Sequence, residues 1–78
     1  MIYGIWDEGS DTLTITRPSG QVYRVKNARS VIGRDVRVFG VETVGNQVHV
    51  LVAPRNNQRP NRRIKFSDSG TYMGSNGI

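Results

Sequence analysis

The residues with the clearest chemical potential lie between Ala53 and Phe66, in APRNNQRPNRRIKF. Arg55, Arg59, Arg62, Arg63 and Lys65 place five cations and no acid in fourteen residues, interleaved with Asn, Gln and two prolines. Guanidinium forks match the geometry of phosphate oxygens, and carboxamides add hydrogen bonds to phosphate, sugar or base edges. The stretch from Pro54 to Asn61 exceeds the usual hairpin connection of about 2–5 residues, and long connections in compact domains tend to be functional or disordered. Proline narrows the shapes such a loop samples, which lowers the cost of ordering it on a partner. A solvated turn whose charges only aid solubility would carry the same residues. Arg24 and Lys26 form a second basic pair, expected beside Thr12, Thr14 and Thr16 on the outside of a sheet, where alternation alone also places polar residues.

Other chemistry finds little support. With no cysteine and one histidine, disulfides, a thiol nucleophile and a structural zinc site have no ligands to build on. Asp7, Glu8 and Asp11 in DEGSD lack the spacing and the distal glutamate of a calcium loop. His49 falls opposite Glu42, an expected outward ion pair, but no nucleophile can be placed beside it. The nine glycines are scattered at turns and form no phosphate-cradling loop. The expectation is a non-enzymatic protein without cofactor or metal.

These side chains have to be positioned by strands, because apolar residues recur with period two through most of the chain. TLTITRPSGQVYRV reads as a hairpin with Pro18-Ser19-Gly20 as its loop. Arg17 then opposes Gln21, Leu13 opposes Val25 and Ile15 opposes Tyr23, all apolar on one side, while Thr14 opposes Arg24 and Thr12 opposes Lys26 on the other. A one-residue slip would mix the two sets. VFGVETVGNQVHVLV reads as a second hairpin about Gly45-Asn46, with Val41 opposite Val50, Thr43 opposite Val48 and Phe39 opposite Val52. This register expects Ile15, Tyr23, Val41 and Val50 to be buried. It also leaves Val36, Val38 and Leu51 on the face away from the core, unless Gly40 marks a bulge.

IYGIW and RRIKF flank the two hairpins as outer strands, and NARSVIGRD links the halves with room for one helical turn, Val31 and Ile32 plugging an end of the core. Tyr3 and Trp6 have opposite parity, so one faces out. The expected fold is all-β: six short antiparallel strands as two three-stranded meanders in a small barrel or sandwich. Residues 1–70 are expected as one β domain and 71–78 as a flexible tail, whose Tyr72, Met73 and Ile78 are available to dock on a partner.

The chain has 78 residues and a formal charge of +5. A domain of this size buries only about 60% of the surface its unfolded chain exposes. A marginal core with apolar residues left on its second face predicts a homo-oligomer. No apolar run approaches the ~20 residues of a membrane span, and MIYGIWDEGSD lacks the pattern of a signal peptide. A cytoplasmic protein without membrane contact is expected. The charge favours nucleic acid or another anionic ligand, bound through loop 54–65, with Arg24 and Lys26 as accessory contacts. The alternative is a protein-interaction or assembly subunit, such as a small accessory or inhibitor protein of a phage or mobile element.

Overall fold

A computed structural model describes residues 1–78. β1 (Tyr3–Asp7), β2 (Thr12–Thr16) and β3 (Val22–Lys26) form one antiparallel sheet in that order. A four-residue helix, α1 (Arg29–Ile32), leads to a second antiparallel sheet of β4 (Val36–Val44), β5 (Gln47–Pro54), β6 (Arg62–Ser67) and β7 (Tyr72–Gly77). Both sheets are meanders. There are seven strands instead of six, and no closed barrel. The added strand is the segment expected as a tail. It pairs with β6 from Arg62 opposite Gly77 to Phe66 opposite Tyr72.

Turn chemistry and alternation fix the registers together. In β2–β3 the amide of Arg17 donates to the Gln21 carbonyl and that of Gly20 to the Arg17 carbonyl, each at 2.9 Å, with Gly20 at φ 90°. Leu13–Val25, Ile15–Tyr23, Thr14–Arg24 and Thr12–Lys26 all pair as the pattern requires. In β4–β5, Gly45 has φ 60° and the pairs Val44–Gln47, Thr43–Val48, Glu42–His49 and Val41–Val50 follow. The expected pair Phe39–Val52 does not form. The register shifts between Val38 and Gly40, so Val38 opposes Val52, Gly40 opposes Leu51, and Phe39 is the extra residue of a bulge. That single insertion reverses the parity of the strand's first half. Val36 and Val38 therefore turn inward and pack against the core, instead of facing away from it. Of the three residues expected on the second face only Leu51 stays there, half-buried, while Ile5, Val44, Met73 and Ile78 are exposed elsewhere.

The core takes Leu13 and Ile15 from the three-stranded sheet and Val48, Val50, Val52, Ile64 and Phe66 from the other, with Ile2, Ala28 and Ile32 at its margins. Ile15 and Val50 are fully buried, whereas Tyr23 and Val41 are only half-buried. Tyr23 lies toward the hairpin end of its sheet, where Arg17 sits 5.9 Å from its ring centroid. Trp6 packs inward and Tyr3 is exposed, as opposite parity demands. Ile32 plugs the core, but Val31 stays exposed at its rim.

Arg29 ties the two sheets together. Its guanidinium donates to both Glu8 carboxylate oxygens at 2.8–3.1 Å, to the Gly33 carbonyl at 3.0 Å and to the Val36 carbonyl at 2.9 Å. It also lies 5.6 Å from the Trp6 ring centroid. The Arg29 amide donates to Asp11 Oδ1 at 2.9 Å. The Arg29 and Trp6 hydrogen bonds hold the Glu8 carboxyl below the ordinary glutamate pKa, Arg29 most strongly. Lysine has no planar fork and cannot reproduce this set. Arg29→Lys should therefore lower stability by about 1–3 kcal/mol, the cost of leaving buried carbonyls short of donors, and urea unfolding at pH 7 measures it.

Gly4 sets the spacing between the sheets. A Cβ there would lie 2.7 Å from Val48 Cγ1 and 3.0 Å from Val41 Cγ1. Val48 is fully buried and β-branched, so it has no free rotamer to move to. Gly4→Ala should cost about 1–3 kcal/mol through overpacking. Gly40→Ala, where nothing lies within 4 Å of the added atom, should leave the unfolding midpoint nearly unchanged. Equal midpoints for the two variants would show that the sheets do not need this close approach.

Candidate nucleic-acid interface

The basic segment does not form one surface. Its first part is the loop between β5 and β6, where the Asn57 amide donates to the Pro54 carbonyl and the Asn61 amide to the Val52 carbonyl, both at 2.9 Å. This leaves Arg55 and Arg59 exposed on a loop pinned at both ends. The second part is β6 itself, where strand alternation separates neighbours. Ile64 and Phe66 enter the core, so Arg63 and Lys65 occupy the outer face. Arg62 has the inward parity and sits at the sheet margin, its Nη2 donating to Ser75 Oγ at 2.8 Å. Arg24 and Lys26 lie on the outside of the three-stranded sheet, the far side of the molecule from Arg63 and Lys65. The seven expected contacts thus fall into four places: Arg55 and Arg59 on the loop, Arg63 and Lys65 on the outer face of the adjoining strands, Arg62 at the margin, and Arg24 and Lys26 on the other sheet.

Two further cations, which the residue pattern alone does not single out, lie beside the loop. Arg55 Nη2 donates to the Arg34 carbonyl at 3.3 Å, which brings the link before β4 against the basic loop. Arg37 lies opposite Ala53 on the outer face of β4–β5, beside the start of that loop. Its guanidinium sits 4.4 Å from the ring centroid of Phe39, the residue that the bulge displaces from the ladder. Cation–aromatic contact of this kind fixes the direction of an otherwise mobile side chain. The parity conflict between Val38 and Val41 was the signal for Phe39. Nothing local marks Arg34 or Arg37, because their role depends on how the sheets fold back.

The outer face next to the loop is a polar network around His49. His49 is the one buried polar residue, 6% exposed, on the central strand between Glu42 and Lys65. Arg63 Nη1 lies 3.3 Å from His49 Nδ1 and also pairs with Glu42. Arginine can only donate, so Nδ1 accepts and the proton resides on Nε2, which donates to Gln47 Oε1 at 2.9 Å. His49 is therefore neutral, and the expected Glu42–His49 ion pair is replaced by Glu42–Arg63. Burial lowers its pKa below the ordinary 6.5; the Arg63 and Lys65 charges push the same way and Glu42 opposes them. Both ring nitrogens are engaged.

The acids of DEGSD are satisfied within the chain. Asp7 accepts from the Gly9 amide and Ser10 Oγ, Glu8 binds Arg29, and Asp11 accepts the Arg29 amide. No group of three His, Asp or Glu side chains comes together to hold a metal ion. Three of the eleven Lys and Arg side chains are in ion pairs, with Asp68, Glu8 and Glu42. The eight cations left outside ion pairs are Arg55 and Arg59 on the loop, Arg34 and Arg37 beside it, Lys65 on the outer face, Arg62 at the sheet margin, and Arg24 and Lys26 on the opposite sheet. No helix is long and apolar enough to cross a membrane. Comparison with family models, curated proteins and solved structures finds no match.

The His49 environment yields a pH prediction. The folded pKa is depressed, so the unfolded chain binds the proton more readily. Stability from this group is complete above pH 6.5 and declines as pH falls from there toward the folded pKa. His49→Gln should remove that decline between neutral and mildly acid pH, and thermal unfolding of both proteins across the range measures it.

Proposed function

We propose that the protein is a non-enzymatic module that binds the sugar–phosphate backbone of a nucleic acid. The contacts are Arg55 and Arg59 of the β5–β6 loop, Arg34 and Arg37 beside it, and Arg63 and Lys65 on the adjoining sheet. The observation that carries this reading is the Arg55–Arg34 contact, which gathers cations from two distant chain segments at one end of the sheet, where Asp35 and Glu8 are the neighbouring acids. Like charges held this close favour a polyanion, because each phosphate neutralised releases condensed counterions. Asn56, Asn57, Gln58 and Asn61 supply donors and acceptors for sugar and base edges in the same loop. Phe39 and its stacked Arg37 add a planar surface of the type that unpaired bases occupy. The assembly-subunit alternative loses Val36 and Val38, which pack inward, and keeps Tyr72, Met73 and Ile78, which stay exposed although Tyr72–Gly77 is a paired strand.

Binding of a fluorescent single-stranded oligonucleotide should weaken steeply with salt, and Arg55→Gln with Arg59→Gln should reduce the magnitude of that salt slope by about 0.7 for each phosphate no longer neutralised. Arg24→Gln with Lys26→Gln, on the opposite sheet, should leave both affinity and slope unchanged. Equal weakening by the two double variants would mean that net charge alone drives binding, and no binding at low salt would overturn the proposal.

A further inference from the structure

Arg62 has no place in the interface described above. It lies at the mouth of a groove between α1 and the β6–β7 edge, with a volume of about 240 Å³. The floor of the groove is apolar: Ile32, Val36, Val52 and Ile64, with Val31 and Tyr72 at the rim. The groove exists for two reasons. Three strands cannot cover four, so β7 and part of β6 lack a partner layer. The inward positions of β7 opposite Arg62 and Ile64 are Gly77 and Ser75, too small to fill the space.

Its polar groups converge on one point. Arg62 Nη2 donates to Ser75 Oγ at 2.8 Å, which orients the guanidinium along the rim, and the Tyr72 hydroxyl lies 3.4 Å from the same oxygen. Arg62 is in no ion pair, and no acid lines the groove. An oriented guanidinium beside a largely aliphatic trough is complementary to a molecule with a carboxylate at one end and a short hydrocarbon chain at the other. The volume equals roughly eight water molecules at ~30 Å³ each, a space that a linear chain of about as many heavy atoms fills.

We infer that this groove binds a short aliphatic monocarboxylate, the hydrocarbon lying along Val36, Val52 and Ile64 and the carboxylate accepting from Arg62. The site is separate from the nucleic-acid surface, since Arg62 and Arg63 face opposite sides of β6, and it holds whether or not that surface binds nucleic acid. A ligand there extends a core that a chain of this length can barely build, so binding also stabilises the fold.

The test is a methyl-resolved NMR titration of the full chain at pH 7 with sodium octanoate, with octan-1-ol as the uncharged probe of similar length. Octanoate should give saturable shifts at the Val36, Val52 and Ile64 methyls with a Kd below about 1 mM, within the efficiency range of small ligands. Octan-1-ol should bind at least about tenfold more weakly, for want of the charge-assisted hydrogen bond. Arg62→Gln should abolish that preference while leaving oligonucleotide binding unchanged. Val31→Trp, which closes the groove from its rim, should abolish binding of both probes. The inference is overturned if octanoate and octan-1-ol bind the parent equally, if Arg62→Gln keeps the preference, or if the shifts fall outside the groove.

Discussion

One guanidinium links the β1–β2 turn to the start of the second sheet. Arg29 bonds Glu8 in the β1–β2 turn, lies against Trp6 of β1, and caps the carbonyls of Gly33 and Val36 where the second sheet begins. β1 and β4 pack against each other without forming a ladder, so no continuous hydrogen-bonded sheet joins the two halves. What joins them is the apolar core, the close approach at Gly4, this ionic clasp, the Thr43 hydroxyl donating to the Ile2 carbonyl at 2.9 Å, and the Arg17–Asp68 ion pair at 3.4 Å. The arginine side is 11% exposed and the glutamate side 63%, so solvent screens the ion pair, and the bonds to the Gly33 and Val36 carbonyls carry more of the clasp. An isolated exposed pair would contribute little. The clasp also fixes the direction in which β4 leaves α1, and hence where Arg34 and Arg37 come to lie.

The second organising feature is the bulge at Phe39, which resolves a conflict written into the strand. Val36 and Val38 share one parity, and Val41 and Thr43 share the other. A regular strand would expose one pair. One inserted residue lets both pairs face the core, at the cost of a local break in the ladder. The extruded residue is aromatic and lies under Arg37. The same insertion thus completes the core and builds part of the outer surface, and it removes the stretch of exposed valine that would otherwise have needed a second chain.

Much of this was legible in the residues. Both hairpins and most of their pairings follow from Pro18-Ser19-Gly20, from Gly45-Asn46 and from alternation, because a turn and an apolar face constrain register independently. The register failed at Phe39 because a bulge is decided by what the opposite sheet needs covered. β7 was missed because YMGSNG has three residues with little strand preference and no apolar alternation. It is held by pairing with β6 and by the edge contact of Tyr72 with Phe66, whose ring centroids lie 6.2 Å apart. Arg29 was invisible for a similar reason: its side-chain donors serve Glu8, twenty-one residues away, as well as the Gly33 and Val36 carbonyls.

The candidate site shows how far composition misleads when a charged run enters a strand. Arg62 and Arg63 are adjacent in sequence, yet a strand sends neighbours to opposite faces. One side chain meets Glu42 and His49 on the polar surface, and the other meets Ser75 at the edge of the hydrophobic core. Charge density counted along the sequence overstates the cations on either face and omits Arg34 and Arg37. The basic segment is thus two features in succession, a pinned loop that adds charge to one end of the sheet and a strand that divides its charges between two surfaces. Substituting the whole segment would mix these contributions; substitutions on one face at a time separate them, because strand parity, not sequence distance, determines which side chains share a partner.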